Sequence, residues 1–138
     1  MNAVELEAYK LEQSVTSNMQ NAETSMDVIE TYYGYIKNKE IVINSVNSNI
    51  DSLYQLVSDT YERVLDTNTP LTSLDGFNQI IIDAKDLAES YYDIGITAND
   101  DITEYLNLIE VERKKIEQYE KNINEDQESI DELVSLYS

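Results

Sequence analysis

Apolar side chains recur at alternating steps of four and three residues along the first half of the chain. Thirteen of the eighteen positions reached from Val4 are aliphatic or alanine, and the phase does not slip. This first series consists of Val4, Ala8, Leu11, Val15, Asn18, Ala22, Ser25, Ile29, Tyr32, Ile36, Lys39, Ile43, Val46, Ile50, Leu53, Val57, Thr60 and Val64. A mean spacing of about 3.5 residues keeps one apolar face along a helix that packs against another helix. The pattern predicts a first helical arm over about 2–66.

The same stepping describes the second half of the chain from Phe77 onward. This second series consists of Phe77, Ile81, Ala84, Ala88, Tyr91, Gly95, Ala98, Ile102, Tyr105, Ile109, Glu112, Ile116, Tyr119, Ile123, Asp126, Ile130, Leu133 and Tyr137. Its register holds to the C-terminus, so the pattern predicts a second arm over about 74–137.

The two arms are separated by a loop predicted at about 67–73. Pro70 cannot lie inside a helix, and Thr72 with Asp75 has the spacing of a capping box that starts a new helix. Two nearly equal arms joined by a short loop are expected to lie antiparallel within a single domain, 1–138. With the turn near residue 70, residue i then faces about residue 140 − i.

Two glycines leave an alternative architecture open. A glycine inside a helix costs roughly 1 kcal/mol relative to alanine, and the unbroken phase favours a helix interior at Gly34. Gly95 lies near an Asn99-Asp100-Asp101 run that suits a helix start. The predicted fold class is therefore all-α, a coiled-coil helical hairpin of two long antiparallel helices. The alternative is a four-helix bundle with breaks near 37 and 97.

The chain carries more apolar residues than one seam between two helices requires, and 11 of its 12 aromatic residues are tyrosine. A wide apolar stripe indicates helices with more than one neighbour, either within the chain or in self-association or a protein partner. The apolar and aromatic residues predicted to bind a partner are Tyr33, Tyr35, Val42, Leu56, Leu87, Tyr92, Leu106 and Leu108.

The composition excludes several kinds of chemistry. The chain contains no cysteine and no histidine, which removes disulfides, Cys/His zinc sites and catalytic dyads or triads that use these residues. It has no glycine-rich phosphate loop and no EF-hand pattern, and acid pairs such as Asp100 with Glu104 are expected by chance in a chain with 28 acids. We therefore expect no enzymatic activity, cofactor or metal site.

The net charge of −19 argues against direct nucleic-acid binding and against anionic membranes, and it favours basic protein partners. No run of 18 apolar residues suggests a membrane span, and the N-terminus lacks a secretory signal pattern. The sequence predicts a soluble cytoplasmic protein, with a viral particle or an infected cell as one setting.

The predicted function is non-enzymatic protein–protein interaction, as a coiled-coil structural or scaffolding component of a larger assembly, viral assemblies included. The alternative is an acidic, nucleic-acid-mimicking inhibitor of the anti-restriction or anti-CRISPR type, which would occupy the basic groove of a nucleic-acid-binding protein. Residues 1–14 and 116–138 together carry ten acids against two bases. The acidic contacts predicted for this alternative are Glu117, Glu120, Glu125, Asp126, Glu128, Asp131 and Glu132.

Overall fold

The computed structural model describes residues 2–66 and 68–137. Within them the chain forms helix α1, Ala3–Leu65, a 3-10 turn, Leu71–Ser73, and helix α2, Leu74–Tyr137, with no strand in this part of the chain. The two helices pack against each other, so the prediction of an all-α helical hairpin is confirmed. Residues 1, 67 and 138, which the predicted domain and loop include, lie outside the described residues.

Both helices continue through the glycines that left the alternative open. Gly34 lies inside α1 and Gly95 inside α2, and neither has a positive φ. A four-helix bundle with breaks near 37 and 97 is therefore wrong. The reason is the one that the sequence indicates: a break would have reset the apolar phase, and the phase continues on both sides of each glycine.

The helix ends differ from the predicted capping. At the start of α1 the Asn2 side chain accepts a hydrogen bond from the Glu5 N–H at 2.8 Å, and the Asn2 N–H donates to the Glu5 carboxylate at 3.4 Å. This is a capping box that the sequence analysis did not identify. The capping box predicted at Thr72–Asp75 is wrong in position, because Thr72 lies within the 3-10 turn that follows an extended Pro70.

The loop is held by its own polar groups. The Thr69 hydroxyl donates to the Arg63 carbonyl at 2.6 Å, and the Asp66 carboxylate accepts from the Asn68 N–H at 2.9 Å. The first contact occupies a carbonyl in the last turn of α1, where carbonyls lack intrahelical partners, and the second holds the loop itself.

Contacts divide the chain into two units. Unit 1 comprises Met1–Tyr35 with Glu104–Ser138, and unit 2 comprises Ile36–Thr103. In both units, every buried residue among those described belongs to the first or the second series: Ser25, Ile36, Val46, Thr60, Ala84, Ala98 and Ile109. The other members of the two series are half-buried, except Val64 and Tyr137, which are exposed. The predicted heptad face is thus the seam between the helices.

The pairing of the helices follows the predicted register in each unit. In unit 1 the Asn122 side-chain amide donates to the Asn18 side-chain oxygen at 3.1 Å. In unit 2 the Lys39 ammonium lies 3.0 Å from the Asp101 carboxylate. In both pairs the residue numbers add up to 140, which is the relation expected for a turn near residue 70. Within 2–66 and 68–137, neither helix contains a stretch long and apolar enough to cross a membrane.

Candidate interaction surfaces

Aromatic rings fill the seam of unit 1 at its tyrosine cluster. The Tyr32 and Tyr105 rings stack with centroids 5.9 Å apart, and the Tyr35 ring lies tilted 5.4 Å from that of Tyr105. Beside them the Tyr33 hydroxyl accepts a hydrogen bond from the Arg113 guanidinium at 2.6 Å. Tyr33 and Tyr35, both predicted as partner contacts, therefore make contacts between α1 and α2 while remaining partly open to solvent.

A second polar group in unit 1 centres on Glu112. Its carboxylate lies 3.0 Å from the Lys115 ammonium and also accepts a hydrogen bond from Ser25 on α1. The hydrogen bond from Lys115, followed by that from Ser25, holds the pKa of Glu112 below its ordinary value, although burial acts in the opposite direction. The same contact raises the pKa of Lys115. Glu112 is a charged member of the second series and has partners for its charge.

The predicted acidic surface divides into two environments. Glu117, Glu120, Glu125, Glu128, Asp131 and Glu132 are exposed, and the Glu125 carboxylate lies 3.9 Å from the Lys121 ammonium. Asp126 instead lies on the seam, half-buried, with one carboxylate oxygen buried and without a hydrogen-bond partner. A buried acceptor without a donor costs free energy of folding, so the position of Asp126 differs from that of the other six acids.

Unit 2 closes its seam with small and aliphatic side chains. Val46, Ala84 and Ala98 are buried, and a Cβ added at Gly95 would lie 3.6 Å from the Val46 Cγ1. Small residues at the contact allow two helices to approach closely, since interaxial distance follows side-chain size. Other large apolar residues of unit 2, among them Ile41, Leu56 and Ile82, are exposed.

A hollow of about 280 Å³ opens on one side of unit 2, and we call it the neutral groove. It is lined by Ile43, Val46, Asn47 and Ile50 of α1 and by Tyr92, Gly95, Ile96 and Asn99 of α2, none of which carries a charge. Tyr92 is 64% exposed. The stretches 41–50 and 90–99, which contain this lining, include a single charged residue, Asp93.

The other predicted partner residues are distributed over both units. Val42 lines a separate hollow of unit 2 with Lys39, Asp93 and Ala98. Leu56 and Leu87 are exposed in unit 2, Leu106 is exposed in unit 1, and Leu108 is half-buried there. Of the predicted set, only Tyr92 lines the neutral groove.

The remaining groove residues are not among the predicted partner contacts. Ile43, Val46 and Ile50 were counted only as seam residues, although Ile43 and Ile50 are half-buried and face the hollow as well. The absence of charge from 41–50 was the signal that could have identified the groove.

An apolar hollow also lies in unit 1, and we call it the terminal hollow. It is lined by Val4, Ala8, Ile130, Leu133, Val134 and Tyr137. Exposed acids stand next to this lining in the chain, among them Glu5, Glu7, Asp131 and Glu132. Exposed acids also follow lining residues of the neutral groove, at Asp51, Asp93 and Asp100, so the two hollows share an uncharged lining with acids beside it.

Among the described residues, no three acidic side chains come together in a way that could hold a metal ion. No family model, no curated protein and no solved structure matches this chain. The surfaces described above are consequently interpreted from their own geometry and charge. What they offer chemically is apolar contact in both units and exposed carboxylates along the C-terminal part of α2.

Proposed function

We propose that this protein acts by protein–protein contact, as a non-enzymatic structural or scaffolding component of a larger assembly. The observation that carries the proposal is the exposure of large apolar side chains in each of the two units. Leu106 is 50% exposed in unit 1, and Leu87 is 45% exposed in unit 2.

Branched aliphatic side chains are exposed in both units as well. Ile41 is 59% exposed and Val111 is 50% exposed, although isoleucine and valine are among the residues most often buried in folded proteins. Extended apolar surface of this kind typically marks an interaction site. Contact with another protein chain would remove these side chains from water, which supports an assembly component. The cytoplasmic setting predicted from the sequence, with viral particles and infected cells included, belongs to the same proposal.

Site-specific photo-crosslinking in cells that make the protein tests this proposal. A photoreactive phenylalanine analogue would replace Tyr92 in unit 2, Leu106 in unit 1 or, as the acidic control, Glu120. We expect covalent protein adducts from the apolar positions, identified by mass spectrometry. If no position gives an adduct with any protein, including a second copy of the chain, the proposal is wrong.

The exposed acids of α2 favour a second candidate, an inhibitor that occupies the basic groove of a nucleic-acid-binding protein. Glu117, Glu120, Glu128, Asp131 and Glu132 are exposed in unit 1, and a row of carboxylates can occupy positions that phosphates take on a basic protein. Adducts confined to Glu120 would support this candidate. Such a complex should dissociate as salt rises, because screening shortens to about 3 Å at 1 M, whereas apolar contact should survive.

A further inference from the structure

We propose that the tyrosine rings in the seam of unit 1 are a site of oxidative cross-linking. When hydrogen peroxide and a haem peroxidase oxidise the protein, Tyr35 of α1 and Tyr105 of α2 couple into dityrosine. Their ring centroids lie 5.4 Å apart, a separation typical of aromatic rings in contact. The new bond joins the two helices covalently, in a chain that has no cysteine for a disulfide.

The composition directs one-electron oxidation of this chain to tyrosine. Cysteine and tryptophan, the other side chains that readily give up a single electron, are absent, whereas tyrosine occurs 11 times. The chain also has three methionines, but peroxide converts methionine to its sulfoxide by transferring an oxygen atom, which leaves no radical. A radical formed on the chain therefore settles on a tyrosine ring, where the unpaired electron is shared between the phenolic oxygen and the two neighbouring ring carbons.

Ring contacts select which tyrosines couple. Within 2–66 and 68–137, every close pair of rings joins two members of one set, namely Tyr32, Tyr35 and Tyr105. Tyr35 and Tyr105 are the closest pair, and their rings are tilted by 47°. Tyr35 is 46% exposed and open to an oxidant, whereas Tyr32 and Tyr105 are half-buried. The geometry thus favours Tyr35 as the partner of Tyr105.

The coupling balances with hydrogen peroxide as a two-electron oxidant. Each ring gives up one electron and its phenolic proton, and the two radicals form a carbon–carbon bond between the carbons next to the hydroxyls. Each bonded carbon then loses its hydrogen as a proton, and each phenolic oxygen regains one, so both hydroxyls are restored. The peroxide takes up the two electrons and two protons and leaves as two molecules of water. The protein becomes lighter by two hydrogen atoms.

Tyr33 provides a matched control for Tyr35. It lies two residues away in α1 and is 44% exposed, almost the same fraction as Tyr35. Its hydroxyl accepts a hydrogen bond from the Arg113 guanidinium at 2.6 Å, and a positive charge at this distance opposes removal of an electron from the phenol. Among the described residues its ring belongs to none of the close pairs. Tyr33→Phe and Tyr35→Phe therefore remove the same hydroxyl group from neighbouring positions, and only the second removes a coupling partner.

Oxidation of the full chain with hydrogen peroxide and a haem peroxidase, followed by trypsin and mass spectrometry, tests the proposal. Trypsin releases Tyr35 in the peptide 11–37 and Tyr105 in the peptide 86–113. We expect the wild type to give these two peptides joined and lighter by two hydrogen atoms, with fragment spectra that locate the bond. The joined peptide should be lost in Tyr35→Phe and in Tyr105→Phe and should persist in Tyr33→Phe.

Two controls separate this bond from chance coupling. Mixing isotope-labelled and unlabelled chains before oxidation distinguishes the two kinds of link, since only links between molecules give half-labelled joined peptides. Oxidation in urea removes the ring contact and should abolish the joined peptide. Circular dichroism checks that the variants keep their helices. If Tyr105→Phe does not fold, the comparison of Tyr35→Phe with Tyr33→Phe at exposed positions carries the test.

The cross-link should also raise the melting temperature, because a bond between residues 35 and 105 restricts the unfolded chain as a disulfide does. Three results would overturn the proposal: dityrosine that forms only between molecules or at other tyrosines, a joined peptide that forms equally in urea, or equal losses in Tyr33→Phe and Tyr35→Phe. The proposed function does not depend on this reaction, since photo-crosslinking tests it without an oxidant.

Discussion

Units 1 and 2 follow the same heptad spacing but fill it with different side chains. Unit 1 joins its helices through stacked tyrosine rings, the Asn18–Asn122 hydrogen bond and the Ser25–Glu112 contact. Unit 2 relies on small and aliphatic residues such as Val46 and Ala98, with one ion pair between Lys39 and Asp101. The heptad spacing alone specifies which face of each helix forms the seam. The kinds of side chain that occupy the seam differ between the two units.

The difference has a consequence for where each unit places its apolar and charged groups. In unit 1 directional contacts fix which residues of α1 and α2 meet, and the outer surface is acidic. In unit 2 the small residues Ala84 and Ala98 are buried at the seam, and isoleucine and tyrosine side chains line an uncharged groove. We interpret unit 1 as the part whose directional contacts determine the helix register, and unit 2 as the part that keeps an uncharged hollow at its surface.

The largest effect is expected from Ile109→Ala in unit 1. Ile109 is 2% exposed, the most deeply buried large side chain described in the chain. Its truncation leaves a cavity and should lower the free energy of unfolding by about 2–5 kcal/mol, measured by urea denaturation. Val111→Ala is the control, because Val111 is 50% exposed and should change stability by less than about 0.5 kcal/mol. Equal losses would contradict the burial of Ile109 at the seam.

Ala98→Leu tests whether unit 2 requires small residues. Ala98 is buried, so a larger side chain should separate the helices and cost about 1–3 kcal/mol in the same denaturation measurement. Ala3→Leu at the exposed start of α1 controls for the added apolar surface. A stabilised Ala98→Leu variant would show that the helices of unit 2 do not approach closely, and the contrast with unit 1 would disappear.

Asp126→Leu tests the cost of polar groups in the seam of unit 1. Because one carboxylate oxygen of Asp126 is buried without a partner, its replacement should raise the free energy of unfolding by about 1 kcal/mol or more. Asp131→Leu makes the same change at an exposed position and should have little effect. If the free energy of unfolding rises equally in both variants, the increase comes from the reduced net charge and not from removal of the buried oxygen at the seam.

These residues also show which features the sequence could predict. The two series identify the buried residues and the helix pairing because heptad spacing is a local property that survives into the folded chain. The contacts of Tyr33 and Tyr35 were less accessible, since ring stacking and hydrogen bonding depend on side-chain rotamers, which heptad spacing does not specify. Asp126 belongs to the second series, so its seam position follows from the spacing, but the missing partner of its carboxylate oxygen does not. The neutral groove could not be predicted from one stretch alone, because its lining comes from both 41–50 and 90–99. Its uncharged lining is recognised only once these two stretches are known to pair.

Glycine-to-alanine substitutions in the two units are expected to change the free energy of unfolding by smaller amounts. Gly34→Ala in unit 1 should raise the free energy of unfolding by about 1 kcal/mol, because the new methyl group meets nothing within 4 Å. Gly95→Ala in unit 2 should gain at least as much, since its methyl group would lie 3.6 Å from the Val46 Cγ1 and add apolar contact at the seam. A loss at Gly95 would mean that the helices are closer there than this distance allows.

The smallest effect is expected from Glu112→Gln, and its pH dependence identifies the cause. The pKa of Glu112 is lowered from 4.5 in the folded protein, chiefly by the hydrogen bond from Lys115 and then by that from Ser25. A lowered pKa means that the charged form stabilises the fold above about pH 4.5 and that this contribution is lost as the pH falls through the folded-state pKa.

The wild type should therefore be more stable than Glu112→Gln at neutral pH, and thermal melting curves of the two should converge in acid. Glu110→Gln removes the same charge from an exposed neighbouring position and reports the effect of net charge alone. If the Glu112→Gln difference is the same at every pH, the carboxylate charge does not contribute to the contact between α1 and α2. The polar seam of unit 1 would then owe its specificity to the tyrosine rings and the asparagine pair.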